Sequence, residues 1–184
     1  MLQKIIVKIA KQLDTNSIPY MLIGGQAVLL YGIVRLTEDI DITLGVDVDK
    51  LNQMKNLLKE TGLVIPKSVN DNFVKKTNVL VGIDKDTRIR VDFIFSFTPY
   101  EKQALKRVKK VRLNNYKVNF ASCEDTIIHK MFAARPRDLE DTKILLQKNI
   151  KGLDTVYIKK WLKEFSDIAG YDLVKAFKKA LNSK

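Results

Sequence analysis

The sequence predicts an α/β (α+β) protein in which a mixed front part is followed by a helical tail. Apolar residues recur at helical spacing in residues 2–13, whereas they alternate with polar residues in 39–44 and 89–95. From about residue 121 to the end, the spacing is helical. These three patterns indicate strands and helices in the front part and helices alone after it.

The front part begins with two helices separated by a short strand. The first helix carries its lysines opposite its apolar residues, and Pro19 limits its C-terminal end. The apolar run 20–23 predicts a strand, which Gly24-Gly25 ends, and a second helix follows over 26–31. The alternating segment 39–44 then predicts a strand with one apolar and one polar face.

Helices and strands continue to alternate through the rest of the front part. A helix capped by Asp47 or Asp49 continues to Lys59. Asn114-Asn115 predicts a two-residue hairpin loop, because Asn tolerates the positive φ angles that such a loop needs. The other predicted elements are strands over 79–83, 89–95, 111–113 and 116–120, a helix over 99–106, and tail helices from Ser122 to Pro136 and over 137–149, 154–166 and 171–182.

The composition excludes several kinds of site. The chain of 184 residues has one cysteine, Cys123, which excludes an internal disulfide framework and a Cys-rich zinc site. Its one histidine, His129, excludes a site that needs two histidine ligands. Lysines interrupt the apolar pattern of the first helix, which disfavours a signal peptide or a membrane span there. We therefore expect a reduced, cytoplasmic protein without a membrane partner.

The charge is distributed unevenly along the chain. The net charge is +12, and residues 1–100 carry 13 Lys and Arg against 11 Asp and Glu, whereas residues 101–184 carry 20 against 10. The near-neutral front half favours a catalytic role for that part of the chain. The basic back half favours binding of an anionic partner, such as nucleic acid. Solubility in a lysine-rich proteome is an alternative that charge alone leaves open.

Asp39 and Asp41 are the leading candidates for chemistry. Residues two apart on a strand point to the same face, so the two carboxylates repel each other unless a cation lies between them. Mg²⁺ prefers such oxygen ligands and shares them with substrate phosphates. Asp92 lies on the polar face of a later strand and supplies a third carboxylate if the two strands are neighbours. Alternating aspartates on a half-exposed strand are the simpler alternative.

Gly24-Gly25 strengthens the metal interpretation. The pair lies where a strand passes into a helix, and glycine lets backbone N–H groups approach a phosphate closely. An ordinary tight turn explains a Gly-Gly pair on its own. A strand, a glycine pair, a helix and a strand with two in-phase aspartates form a much more specific combination.

Two motifs resemble those of nucleotidyltransferases. Ile23-Gly-Gly-Gln-Ala27 followed by Asp39-Ile-Asp-Ile42, with Asp92 as the third carboxylate, is similar to the signature of the DNA polymerase β-type nucleotidyltransferase superfamily. The segment Lys130-Met-Phe-Ala-Ala-Arg-Pro-Arg-Asp-Leu-Glu-Asp141 resembles a motif of the AbiEii-like toxin nucleotidyltransferases and their uncharacterised relatives. The resemblance spans residues 20–147. Gln26 departs from the small hydroxyl residue that often follows the glycines.

The resemblance implies a nucleotidyltransferase fold and assigns the site residues. It implies a catalytic domain over 1–120, with a mixed β-sheet flanked by helices, and a C-terminal helical region over 121–184 that completes the nucleotide and acceptor site. A solvated loop charge remains the alternative for Arg35, and a helix-start residue the alternative for Asp138. The implied catalytic and Mg²⁺-holding residues are Asp39, Asp41 and Asp92, with two ions when an NTP is bound, and the implied nucleotide contacts are Gly24, Gly25, Gln26, Arg35, Thr37, Lys130 and Asp138.

The resemblance also implies an activity and partners. The implied reaction moves an NMP from an NTP, such as ATP, to an acceptor hydroxyl and releases pyrophosphate. The charge of +12 favours RNA, in particular a tRNA end, as the acceptor. The resemblance adds a toxin role with a cognate antitoxin protein as partner. The alternatives are transfer to a small molecule such as an antibiotic, a non-catalytic nucleic-acid-binding protein of the same fold, and a subunit that needs a protein partner for activity.

Overall fold

The computed structural model describes residues 1–33 and 37–182. None of the helices in these two ranges is long and apolar enough to cross a membrane. The described residues form these helices and strands: α1 Leu2–Thr15, β1 Tyr20–Leu22, α2 Gly24–Leu30, β2 Asp39–Leu44, α3 Leu51–Glu60, β3 Leu63–Val64, α4 Asp71–Thr77, β4 Val79–Asp84, β5 Arg90–Phe95, α5 Pro99–Ala104, β6 Lys109–Leu113, β7 Tyr116–Phe120, α6 Cys123–Ala133, α7 Pro136–Asn149, α8 Thr155–Ala169 and α9 Leu173–Asn182.

The strands form one mixed sheet in the order β3-β4-β5-β2-β1-β7-β6. β2 pairs in parallel with β5 and β1 with β7, whereas the other neighbours are antiparallel. The predicted hairpin is confirmed: β6 and β7 pair, and Asn114 and Asn115 have φ angles of 44° and 64°. A mixed front part followed by helices alone is confirmed as well.

Two elements, β3 and α4, were not predicted. β3 has two residues, which is too short for an alternating pattern. α4 has seven residues and buries only Val74, so its sequence contains no repeated apolar position from which a helix could be predicted. Its ends are set locally instead, because the Asn70 side chain accepts a hydrogen bond from the Phe73 amide at 2.9 Å and Asn78 adopts φ 55°.

The sheet separates two hydrophobic cores. On one face, the apolar residues of β2 and β5 pack with α1 and α3; these include Ile40, Ile42, Val91 and Phe93. On the other face, Met21 packs with the helices of the C-terminal part. Successive side chains on a strand point to opposite faces, so the aspartates between those apolar residues point toward the C-terminal helices.

Asp125 at the start of α6 joins three helices. Its buried carboxylate accepts hydrogen bonds from the Tyr100 hydroxyl of α5 at 3.1 Å and from the Tyr157 hydroxyl of α8 at 2.8 Å. The Ser122 hydroxyl, which caps α6, donates to the same carboxylate at 2.6 Å. Because buried polar groups are costly unless they are paired, this network fixes the position of α6 against its neighbours.

Asp125→Ala is expected to lower the free energy of unfolding by about 3 kcal/mol, because it leaves two buried tyrosine hydroxyls without an acceptor. Urea denaturation measures the loss. The control is Asp167→Ala, at an exposed position of α8, where we expect a change within about 0.5 kcal/mol. Equal losses in the two variants would contradict a structural role for the network.

Candidate active site

The parallel pairing of β2 with β5 brings the three predicted carboxylates to one side of the sheet. Asp41 lies directly opposite Asp92, and Asp39 lies opposite Arg90. The expectation that the two strands are neighbours is therefore confirmed. All three carboxylates line one cavity of about 680 Å³.

Gly24 allows the chain to pass close to Asp41. A Cβ atom at Gly24 would lie 2.0 Å from Asp41 Oδ2, and the residue has a φ of 61°, which disfavours other residues. The adjacent Ile23 amide donates to the Asp41 carbonyl at 2.9 Å. Gly24 and Gly25 both line the cavity. The glycine pair thus places bare backbone beside the carboxylates.

The electrostatics of Asp41 show how crowded the carboxylates are. Burial, together with the nearby carboxylates of Asp39 and Asp92, raises the pKa of Asp41 from 3.8 to about 6, while Lys130 and Arg135 oppose the rise. The ionised form of Asp41 is therefore disfavoured in the folded protein. A divalent cation beside these oxygens would offset that cost, so the donor set fits a hard metal ion such as Mg²⁺.

Lys130 and Asp138 line the same cavity as the three carboxylates of the sheet. Lys130 Nζ on α6 lies 2.6 Å from Asp138 Oδ1 and 2.9 Å from Asp141 Oδ2, both on α7, and its side chain is 7% exposed. Arg135 Nε lies 2.6 Å from Asp138 Oδ2. Burial favours a higher pKa for Asp138, but the hydrogen bonds from Lys130 and Arg135 outweigh it and hold that pKa below its ordinary value. The two carboxylates therefore hold the Lys130 ammonium group in place.

Arg90 holds Asp92. Its Nε and Nη2 atoms donate to the two carboxylate oxygens of Asp92 at 2.7 and 2.9 Å, and its side chain is 56% exposed. Within residues 1–33 and 37–182, no group of three or more His, Cys, Asp or Glu side chains is arranged as a ready metal site. The bidentate pair takes one lone pair on each oxygen of Asp92 and places a positive charge beside it, so Arg90 competes with a metal ion for this carboxylate.

The remaining predicted residues lie in different places. Thr37 lines the cavity. Gln26 is buried, and its amide donates to Thr37 Oγ1 at 2.8 Å and to the Asp39 carbonyl at 3.4 Å, so it supports the loop before β2. Arg35 lies outside the described residues. His129 packs against Tyr100, with ring centroids 5.6 Å apart.

Three lining residues were missed as site residues: Glu38, Arg135 and Arg137. Arg135 and Arg137 lie inside the second motif. Their position beside Asp138 at the start of a helix could have indicated that they belong to the site. Glu38 precedes the alternating aspartates, but its position gives no pattern that separates it from a solvated loop residue. The link between Arg90 and Asp92 was visible as an i, i+2 pair on one strand face.

Asp41→Asn is expected to raise the free energy of unfolding by about 3 kcal/mol in metal-free buffer at pH 8, since the pKa of Asp41 rises from 3.8 to about 6 on folding and one pKa unit corresponds to about 1.4 kcal/mol. The pKa is higher in the folded state, so ionisation of Asp41 opposes folding above about pH 6. The gain should shrink as the pH falls from 6 to 3.8 and the wild-type carboxyl takes up its proton. Urea denaturation at several pH values measures it. Asp167→Asn is the control, and a gain that is absent at pH 8, or independent of pH, would count against the crowding of carboxylates.

Comparisons with known proteins show the fold and the family of the chain. A family model described as "Nucleotidyl transferase AbiEii toxin, Type IV TA system" matches residues 12–182. No curated protein gives a significant match. An antigenic nucleotidyltransferase-like protein from Paracoccidioides brasiliensis has a TM-score of 0.60 at 16% identity, over 96% of this chain and 92% of that chain.

Two further solved structures are similar. ANT(2")-Ia in complex with adenylyl-2"-tobramycin has a TM-score of 0.59 at 15% identity, over 97% of each chain. A putative nucleotidyltransferase from H. pylori has a TM-score of 0.51 at 20% identity, over 98% of this chain and 81% of that chain. These likenesses confirm the predicted nucleotidyltransferase fold. The family match goes further: the chain belongs to the AbiEii toxin nucleotidyltransferase family and is a nucleotidyltransferase.

Proposed function

We propose that the protein transfers an NMP from an Mg²⁺-bound NTP to a hydroxyl group of RNA, with a tRNA end as the favoured acceptor. The observation that carries the proposal is one cavity in which carboxylates from the sheet face cations from the C-terminal helices. Oxygen ligands suit Mg²⁺, and guanidinium and ammonium groups suit phosphates. We further propose that residues 1–120 supply the catalytic carboxylates and that residues 121–184 complete the site with Lys130, Arg135 and Arg137.

The proposed metal ligands are Asp39 and Asp41, joined by Asp92 when Arg90 has moved. The raised pKa of Asp41 supports this assignment, because burial and the neighbouring carboxylates disfavour its ionised form, which a bound cation would favour. Two ions are proposed when an NTP is present, and bound divalent ions stabilise negative charge on the triphosphate and on the leaving pyrophosphate.

The chain's own residues then orient the reactants. Gly24 and Gly25 offer backbone N–H groups to the triphosphate, and Lys130 and Arg135 hold its phosphate oxygens. The acceptor hydroxyl oxygen forms a bond to the α-phosphorus, while the bond from that phosphorus to the pyrophosphate oxygen breaks. The hydroxyl proton passes to the Asp92 carboxylate, and the pyrophosphate leaves with the electron pair. Positioning and charge stabilisation supply most of such a rate enhancement.

The choice of RNA as acceptor is supported by the charge of the chain. A net charge of +12 attracts a polyanion, and the excess lies in the half that contains α6 and α7. The type IV toxin description of the family is consistent with a cognate antitoxin protein as a further partner.

A small-molecule acceptor is the second candidate, and Glu38 is the observation that favours it. Glu38 is exposed and lines the cavity beside Asp39, where it could pair with a cationic acceptor. One of the similar structures, ANT(2")-Ia, was solved in complex with adenylyl-2"-tobramycin. Glu38→Gln would weaken transfer to an aminoglycoside and leave transfer to RNA unaffected.

The function is tested by transfer of α-labelled NMP from each of the four NTPs to total cellular RNA and to tobramycin, with and without Mg²⁺. We expect label in RNA with the wild-type protein and Mg²⁺, and a loss of at least ~100-fold in the double variant Asp39→Asn/Asp41→Asn. Label on tobramycin alone would establish the second candidate. Mg·NTP binding that survives in the double variant would contradict the proposed metal ligands.

Arg90→Met is expected to lower the Mg²⁺ concentration for half-maximal transfer about threefold to tenfold, because the variant removes the cation that competes for Asp92. Calorimetric titration with Mn²⁺ in the absence of NTP should show the same increase in affinity. Arg88→Met removes an equal charge from an exposed position before the same strand and serves as control. An unchanged metal affinity in Arg90→Met would show that the pair with Asp92 does not limit metal binding.

A further inference from the structure

The β6–β7 hairpin carries a cluster of cations outside the catalytic cavity. The cluster borders a groove of about 520 Å³, which we call the hairpin groove. Its lining residues are Asp14, Lys110, Arg112, Asn115, Tyr116, Lys117 and Asn119. None of these residues lines the cavity of the carboxylates. The groove therefore needs a separate explanation.

The register of the hairpin sets Lys110, Arg112, Lys117 and Asn119 on one face. Tyr116 packs against the core on the opposite face, and its hydroxyl donates to Asp14 of α1. Lys110 pairs with Asn119, and Arg112 pairs with Lys117. The alternate residues of the hairpin, among them Val111 and Val118, pack in the core beneath the opposite face. The cations therefore point to the sheet face that also carries Asp39 and Asp41.

The three cations of the hairpin groove, Lys110, Arg112 and Lys117, outnumber its one carboxylate, Asp14. Arg112 and Lys117 stand directly opposite each other, and like charges in that arrangement destabilise a strand pair. Among the described residues, no carboxylate forms an ion pair with Lys110, Arg112 or Lys117. The acidic residue of the groove, Asp14, accepts a hydrogen bond from the Tyr116 hydroxyl at 2.6 Å instead. The arrangement suits an anionic ligand better than it suits the fold.

We infer that the hairpin groove binds the phosphodiester backbone of the acceptor RNA, an inference that rests on the proposed function. Lys110 and Arg112 are two residues apart on a strand, or about 6.8 Å, which is comparable to the spacing of successive phosphates along an RNA strand. The amides of Asn115 and Asn119 add donors for phosphate or ribose oxygens. β6 is the outermost strand of the sheet, so a long polymer can lie along it.

The position of the groove assigns it to the body of the acceptor. Two strands, β7 and β1, pair in sequence between β6 and the catalytic β2. At about 4.8 Å per strand, the groove is displaced from the carboxylates by about 10–15 Å across the sheet. Contacts at that distance from the reacting hydroxyl position a nucleic acid without reading its bases. The groove thus contributes affinity for long acceptors and leaves NTP binding in the cavity unaffected.

The test compares Arg112→Glu/Lys117→Glu with Lys175→Glu/Lys178→Glu, which reverses the same number of charges at exposed positions of α9. The measurement is the anisotropy of fluorescently labelled total tRNA over a salt series, without NTP. We expect the hairpin variant to bind at least tenfold more weakly and to lose about 1.5–2 from the slope of log affinity against log salt. The α9 variant should change affinity less than threefold. The affinity for Mg·NTP should be unchanged in both.

Arg112→Gln/Lys117→Gln is a milder variant that tests the inference if charge reversal prevents folding. Equal losses in the hairpin and α9 variants would overturn the inference, because bulk charge would then explain binding. Unchanged tRNA affinity in the hairpin variants would also overturn the inference. The lysines would then be explained as charges that prevent the edge strand β6 from pairing with another chain. A loss of tRNA binding in the hairpin variants alone supports the inference. If the wild-type protein binds tRNA in this way but transfers no NMP, the absence of transfer contradicts the proposed function and leaves the RNA-binding groove supported.

Discussion

The pairing of Asp41 with Asp92 across two parallel strands is the constraint on which the site depends. It forces carboxylates together in a partly buried position, and the raised pKa of Asp41 records the cost. Nearby cations offset part of this cost. Arg90 donates hydrogen bonds to Asp92, and Lys130 and Arg135 oppose the rise in the pKa of Asp41. In the proposed function, a metal-bound triphosphate would bring positive charge to the carboxylates and negative charge to the lysine and arginines.

The C-terminal helices take part in this balance. α6 carries Lys130 into the cavity, and the buried Asp125 network fixes α6 against α5 and α8. α7 begins beside the cavity and supplies Asp138, which orients Lys130. Stability and function are therefore coupled: the groups that hold the helices in place also set the distance between the sheet carboxylates and the helical cations. The sheet alone would present anions with little to offset them.

Much of this site follows from local sequence patterns. Alternation along 39–44 and 89–95 predicts which face the aspartates occupy, and the glycine pair predicts the break beside them. The i, i+2 spacing places Arg90 and Asp92 on one strand face, but the bidentate contact between them depends on side-chain conformation, which periodicity does not report. Gln26 was expected at the phosphates, but it is buried and donates a hydrogen bond to Thr37, a residue 11 positions away in the sequence, and local patterns do not predict such a contact. β3 and α4 were missed because they are short and bury few residues.

The most direct measurement is a crystal structure of the protein with Mn²⁺ and a non-hydrolysable NTP analogue, in which anomalous scattering locates the metal. We expect an Mn²⁺ peak bound by Asp39 and Asp41, with the triphosphate against Gly24-Gly25 and Lys130, and with Arg90 turned away from Asp92. A nucleotide bound outside this cavity, or Mn²⁺ bound away from both Asp39 and Asp41, would contradict the assignment of the cavity as the site of nucleotidyl transfer.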